Sequence, residues 1–167
     1  MSEHKEIRKF PDAMLKEKVP EVTEFGKELE KVSKKMLRVM EEADGIGLAA
    51  NQIGYLLKMF VAKLPDEKPI IMVNPMIIEA DGEDEMEEGC LSVPGIGVEI
   101  QRATRLYLKG FNTNGKEIEY ELKGLIARVA QHEIDHLNGI LIVDYLSGKE
   151  FFRFQMEYEK MKERKEL

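Results

Sequence analysis

Tryptophan is absent from this chain of 167 residues, cysteine occurs once, and histidine occurs three times. A single cysteine excludes an internal disulfide, so the framework does not depend on an oxidising compartment. The thiol is then core filler, a nucleophile or a metal ligand. No apolar run is long enough to span a bilayer. The opening Met1-Ser2-Glu3-His4-Lys5-Glu6 has neither a signal-peptide core nor an Arg-rich transit pattern, which leads to the expectation of a cytoplasmic protein. Positive charge is also short. Twenty-five basic residues stand against 32 acidic ones, a net charge of −7. That balance suits neither nucleic acid nor an anionic membrane, so no membrane partner and no sequence-specific nucleic acid partner are expected. Repeats, low-complexity tracts and Ser/Gly linkers are missing too. The length suits one domain over residues 1–167, and an apolar content of 43% is enough for one core.

Periodicity then outlines the elements. Phe25, Leu29, Val32, Met36 and Met40 fall on one face of a helix over about residues 23–42. Asp44-Gly45 ends it, with glycine expected to supply the left-handed stop. The run from Gly45 to Gln52 is small and apolar but too rich in glycine to start a helix. Residues 58–64 and 69–78 read as strands rich in Ile, Val, Met and Phe. Residues 106–111 and 116–122 flank Asn114-Gly115 and read as a hairpin. Gly82 to Glu88 is acidic and reads as loop. A second helix runs over about residues 125–138 and stops at Gly139, and 140–143 reads as a short buried strand. A third helix over about 148–165 carries Phe151, Phe154, Tyr158 and Met161 on one face. Together these predict an α+β domain, with antiparallel sheets packed around the second helix and a C-terminal helix closing the chain.

The second helix contains His132-Glu133-Ile134-Asp135-His136. Residues four apart lie one turn above each other, so both imidazoles can reach one metal ion. Glu133 stands beside them as a base for water. Asp135, between the histidines, is expected to face away from the metal, either behind the ligands or on the helix surface, rather than to ligate. The spacing leaves a third ligand open. A metzincin would need histidine at position 142, where the chain has Ile142. A thermolysin-like metalloprotease would use a downstream glutamate, and Glu157 and Glu159 are at a suitable distance. The other choice is Cys90, whose thiolate suits zinc or iron(II). A non-catalytic, metal-containing peptide-binding domain is the third alternative.

Three stretches carry a family resemblance. They are Gly45-Ile46-Gly47-Leu48-Ala49-Ala50-Asn51-Gln52, Glu88-Gly89-Cys90-Leu91-Ser92 and Gln131-His132-Glu133-Ile134-Asp135-His136-Leu137-Asn138-Gly139. They resemble the three motifs of peptide deformylases, in the family's order, and the likeness covers nearly the whole chain. The resemblance implies an α+β fold with the metal helix at its centre. It also implies removal of the formyl group from the initiator methionine of nascent chains. By motif, Cys90, His132 and His136 would bind the metal, Glu133 would handle the proton, and Gln52 with the Leu91 N–H would stabilise the oxyanion. Iron(II) is the implied physiological metal, with zinc, nickel or cobalt able to take the same ligands.

The glycines of the first motif would let backbone come close to an extended peptide, so Gly45, Ile46, Gly47, Leu48 and Gly89 are expected beside the substrate. Ile46, Leu91, Leu125 and Val129 are candidates for an apolar side-chain pocket. Some relatives carry an additional basic residue after Ser92-Val93-Pro94, where this chain reads Gly95-Ile96-Gly97. The last helix resembles the type that docks on the ribosome. Residues 160–167 hold four basic and two acidic side chains.

Overall fold

The computed structural model describes residues 6–167, and the opening segment with His4 lies outside the described residues. Among the described residues, seven strands and three α-helices form an α+β fold. The strands are β1 (Gly47–Ala49), β2 (Met59–Ala62), β3 (Ile70–Asp81), β4 (Asp84–Cys90), β5 (Val93–Arg102), β6 (Arg105–Phe111) and β7 (Glu117–Lys123). The helices are α1 (Lys27–Glu42), α2 (Leu125–Leu137) and α3 (Gly148–Glu163). One antiparallel sheet has five strands in the order β1-β2-β3-β6-β7, and β4 and β5 form a separate hairpin.

Strand β2 explains the layering. Its four residues are all buried. Successive side chains point to opposite faces. Phe60 and Ala62 pack with Ala127, Ala130, Ile134 and Leu137 of α2. Met59 and Val61 pack with Met36, Val39 and Met40 of α1. The strand therefore lies between two helices, which is why its sequence is apolar throughout rather than alternating. A third cluster joins Val93, Val98 and Ile100 of β5 to Leu141, Ile142, Val143 and to Phe154 and Tyr158 of α3. Helix α2 is thus held by the five-stranded sheet through its apolar face and by the β4–β5 hairpin through its polar one.

Several elements depart from the sequence-based outline. Helix α1 starts four residues late, because Gly26 has φ +127° and precedes the first helical residue. Phe25 stays outside the helix and packs on Phe111, with ring centroids 5.8 Å apart. The left-handed stop after α1 is Asp44 at φ +57°, not Gly45. A short acidic residue tolerates that conformation. The acidic loop is in fact β4, paired with β5 from Asp84↔Arg102 to Cys90↔Val93. A two-stranded hairpin leaves one face in water, which accommodates its carboxylates. The expected strand over 140–143 is a 3₁₀ turn, Ile142–Tyr145. It packs against β5 and α3 without a pairing strand, and the Asp144 carboxylate accepts the Leu141 N–H at 2.7 Å. Helix α3 follows the expected face, and its start is a capping box in which Ser147 Oγ accepts the Glu150 N–H at 3.3 Å.

Candidate active site

The functional side chains arrive from three segments. Helix α2 presents His132, Glu133 and His136. Its i, i+4 spacing brings His132 Nε2 within 3.2 Å of His136 Nε2. The tip of the β4–β5 hairpin presents Cys90, whose Sγ lies 3.3 Å from His136 Nε2. The 3₁₀ turn Ala50–Ile53, directly after β1, presents Gln52. All three segments border a cleft of about 910 Å³.

The donor set suits a metal ion in both spacing and chemistry. A tetrahedral ion with bonds of about 2.0–2.1 Å to nitrogen and 2.3 Å to sulfur holds neighbouring donors about 3.3–3.6 Å apart. The observed 3.2 and 3.3 Å separations are slightly shorter than those edges, so a small outward movement of the donors would admit the ion. The Cys90, His132 and His136 donor atoms all lie within 4.8 Å of one another. A thiolate and two imidazoles suit a divalent transition metal. Burial and the neighbouring His132 hold His136 well below its ordinary pKa, so its lone pair is available.

Beneath the histidines lies a buried charge network. Burial alone would raise the Glu88 carboxyl, but hydrogen bonds from Arg102 and His132 hold it down at about 2. Glu88 Oε1 accepts from Arg102 Nη2 at 2.8 Å and lies 2.9 Å from His132 Nδ1. Its Oε2 accepts from Arg102 Nε at 2.9 Å and from Arg128 Nη1 at 2.6 Å. The carboxylate thereby orients the His132 ring and leaves Nε2 facing the cysteine. Arg102 continues to Asp135 Oδ2 at 2.6 Å, where the Tyr145 hydroxyl also donates at 2.6 Å. Of the two positions expected for Asp135, it therefore takes the one behind the ligands. Sequence reasoning gave no role to Glu88, Arg102, Arg128 or Tyr145. A period-2 reading of β4 would have set Glu88 on the face of Cys90, but the surrounding acidic run concealed the strand.

Glu133 is buried, and desolvation pushes its carboxyl up to about 7. Its Oε1 has no hydrogen-bond partner among the described residues. The carboxylate is therefore not consumed by internal bonding. Gly47 makes room for it: a Cβ there would stand 2.5 Å from Glu133 Oε2 and 2.7 Å from Val129 Cγ1. The Gln52 amide is fixed at both ends. Oε1 accepts the Ala49 N–H at 2.9 Å, and Nε2 donates to Ser92 Oγ at 3.0 Å while lying 3.8 Å from Cys90 Sγ. The N-terminal segment braces this corner, since the Arg8 N–H donates to Gln52 O at 2.7 Å and the Phe10 N–H to Ser92 O at 2.8 Å.

Gly45, Ile46, Gly47, Gly89, Leu91, Leu125 and Val129 all line the cleft. Leu48 does not. Its side chain is fully buried and packs with α1, because β1 alternates and turns it to the opposite face. Glu157 and Glu159, the alternative third ligands, are exposed on α3 and lie outside the Cys–His–His cluster. The metalloprotease alternative is thereby disfavoured.

Comparison with known proteins agrees with this geometry. The family model for polypeptide deformylase matches residues 4–151. A peptide deformylase of Thermodesulfovibrio yellowstonii is 43% identical over 161 residues, spanning 93% of this chain and 98% of that protein. The crystal structure of a peptide deformylase from Legionella pneumophila superposes with a TM-score of 0.89 at 38% identity, covering 95% of each chain. That of the Thermotoga maritima peptide deformylase gives 0.81 at 45% identity, covering 84% of this chain and 96% of the other.

Proposed function

The chain belongs to the peptide deformylase family, and we propose that Cys90, His132 and His136 hold the divalent metal with which it removes the formyl group from an N-terminal methionine. The supporting observation is the cluster of one thiol and two imidazole nitrogens beside a buried, unpartnered glutamate at a cleft. When bound, the metal supplies Lewis acidity and lowers the pKa of water.

The chain's own residues do the rest. Glu133 takes a proton from the attacking water and returns it to the departing amine. A carboxyl raised to about 7 suits both tasks near neutral pH. Attack at the formyl carbon places negative charge on the formyl oxygen. Gln52 Nε2 and the Leu91 N–H are neutral donors for it, and Gln52 is already oriented by Ala49 and Ser92. Gly45, Gly47 and Gly89 let the peptide backbone approach, and Ile46, Leu91, Leu125 and Val129 receive the methionine side chain.

In this reading iron(II) is the resident metal, and zinc, nickel or cobalt can occupy the same donors. The substrate is the formyl-methionine end of a nascent chain in the cytoplasm. The basic end of α3, with Lys160, Lys162 and Lys165, offers a contact to the ribosome. Among the described residues no helix is long and apolar enough to cross a membrane.

The test is a paired assay of formyl-Met-Ala-Ser and acetyl-Met-Ala-Ser on one metal-loaded preparation. Water and two oxyanion donors must converge on the carbonyl carbon, where hydrogen fits and methyl does not. Misplacement by an ångström costs on the order of 10²-fold in rate. Formate release with almost no acetate release is the expected result. Comparable kcat/KM values would replace the deformylase with a broader amidase. Faster loss of activity in air for the iron form than for the nickel form supports the metal assignment, and equal half-lives contradict it.

A further inference from the structure

Helix α2 lines the cleft with Leu125, Arg128, Val129, His132 and Glu133. Spacings of three and four hold these side chains in a single stripe. The metal, the base and the apolar pocket account for all of them except Arg128. Charged groups at the cleft border, among them Asp44, Glu87 and Glu166 at the end of α3, stand in water, whereas Arg128 is buried. Its side chain is only 7% exposed. A guanidinium buried between apolar neighbours is costly unless its N–H groups find partners.

The β4–β5 hairpin supplies those partners. Arg128 Nη1 donates to Glu88 Oε2 at 2.6 Å and to Ile100 O at 2.9 Å, and Nη2 donates to Asp84 O at 2.6 Å. The guanidinium cannot swing away without breaking these bonds together. An arginine carries more N–H groups than they use, and the Nε–H is left over. The buried side-chain atoms without a partner among the described residues are Asn51 Oδ1, Glu133 Oε1 and His136 Nδ1. Arg128 Nε is not one of them, so its N–H edge opens to the cleft that Arg128 lines. Charge within the network is balanced, with Arg102 and Arg128 facing Glu88 and Asp135. The spare edge is therefore an oriented donor for a neutral acceptor rather than a seat for an anion.

We propose that Arg128 determines specificity at the side-chain pocket: its fixed N–H edge meets the end of the substrate's first side chain and favours a neutral acceptor there, the sulfur of methionine or the oxygen of methionine sulfoxide, over a hydrocarbon of equal length. The reach fits. Arg128 stands one turn before His132, about 5.4 Å along the helix. An unbranched side chain that runs from the metal toward the start of α2 brings its sulfur to that level. Thioether sulfur is polarisable and a weak acceptor, and the sulfoxide oxygen is a stronger one. Norleucine puts a methylene in the same place. It is more apolar, so a pocket of hydrocarbon alone would favour it over methionine. The sign of the preference separates the two kinds of pocket. The inference rests on the deformylase reading of the cleft.

The metal-loaded full chain is assayed with formyl-Met-Ala-Ser, its norleucine analogue and its methionine sulfoxide analogue, in wild type, Arg128→Leu and Arg128→Lys. Ratios of kcat/KM between peptides on one preparation do not depend on the active fraction, so a variant that has lost metal or stability is still readable. Wild type is expected to prefer methionine over norleucine about two- to fivefold, as suits a weak acceptor. It should cleave the sulfoxide peptide within about tenfold of the methionine peptide, because a charged donor offsets the loss of water. Arg128→Leu should bring the methionine-to-norleucine ratio to one or below. It should also lower the sulfoxide-to-methionine ratio about 10–10²-fold, the loss of a hydrogen bond from a charged donor. Arg128→Lys should keep part of both preferences, and the differences should sit mainly in KM. If Arg128→Leu does not fold, the wild-type ratios decide. A wild-type methionine-to-norleucine ratio at or below one, a sulfoxide peptide cleaved more than about tenfold more slowly than the methionine peptide, or ratios unchanged in Arg128→Leu overturns the proposal, while formate release from the methionine peptide upholds the deformylase reading. Absence of formate from all three peptides overturns both.

Discussion

Helix α2 and the β4–β5 hairpin both line the cleft, yet they bring their functional groups to it by different means. In α2 the spacing of a single helix aligns His132 and His136 and sets Glu133 beside them. In the hairpin, Cys90 sits at the end of a strand whose register is set by pairing with β5. That hairpin is bound to α2 by one buried carboxylate, Glu88, shared among Arg102, Arg128 and His132. The difference teaches where function and stability separate. A helix face can lose a reacting group and keep its fold, whereas a long-range junction held by buried charge cannot lose its hub.

The comparison breaks most sharply at Glu133. Glu133→Ala should keep stoichiometric metal and lose about 10²–10⁴-fold in turnover, because the base is removed while the ligands stay. Metal analysis beside formate release checks it, and wild-type turnover in a metal-loaded variant removes Glu133 from the mechanism. Removal of this buried carboxyl should not unfold the protein.

Glu88→Ala should behave in the opposite way. It leaves Arg102 and Arg128 buried without their shared partner, at a cost of about 3–5 kcal/mol in unfolding free energy. It also frees the His132 ring, so metal affinity should fall about 10–100-fold. Urea denaturation and chelator competition read the two effects separately. A stable variant with normal metal affinity would show that the hairpin is held by its apolar contacts alone.

Cys90→Ser sharpens the ligand assignment. A hydroxyl replaces a thiolate poorly, so affinity for zinc or iron should fall at least about tenfold, while Glu157→Ala and Glu159→Ala should leave it unchanged. The reverse pattern would return the site to the metalloprotease alternative. The smallest effect is expected at Gly47. Gly47→Ala drives a methyl into Glu133 and Val129, which should cost about 1–3 kcal/mol as overpacking. Its kcat should fall more than its metal content, since β1 is pushed off the base and not off the ligands.

The parts of the site that were legible in the sequence are those fixed by short spacing. The His132–His136 pair, the apolar stripe of α3 and the Asn114-Gly115 hairpin each depend on neighbours within one turn or one strand pair. Leu48 stands in a motif whose neighbours line the cleft, but strand alternation, which the motif alone does not display, sends its side chain into the α1 core. Strand β4 was misjudged because an acidic run reads as loop unless its partner is known. Glu88 stands in a visible motif, but only the folded chain shows two guanidinium groups converging on it from β5 and α2.

The sequence by itself determined the α+β class, the metal helix and, through three motifs, the family. Those follow from periodicity and from residue chemistry carried within a few positions. Tertiary structure alone decided that Glu88 binds hairpin to helix, that Gln52 is held between Ala49 and Ser92, and that the end of α3 returns to the cleft. Each of these joins groups far apart in the chain, and a contact of that kind is set by sheet register and helix packing, which no local pattern encodes.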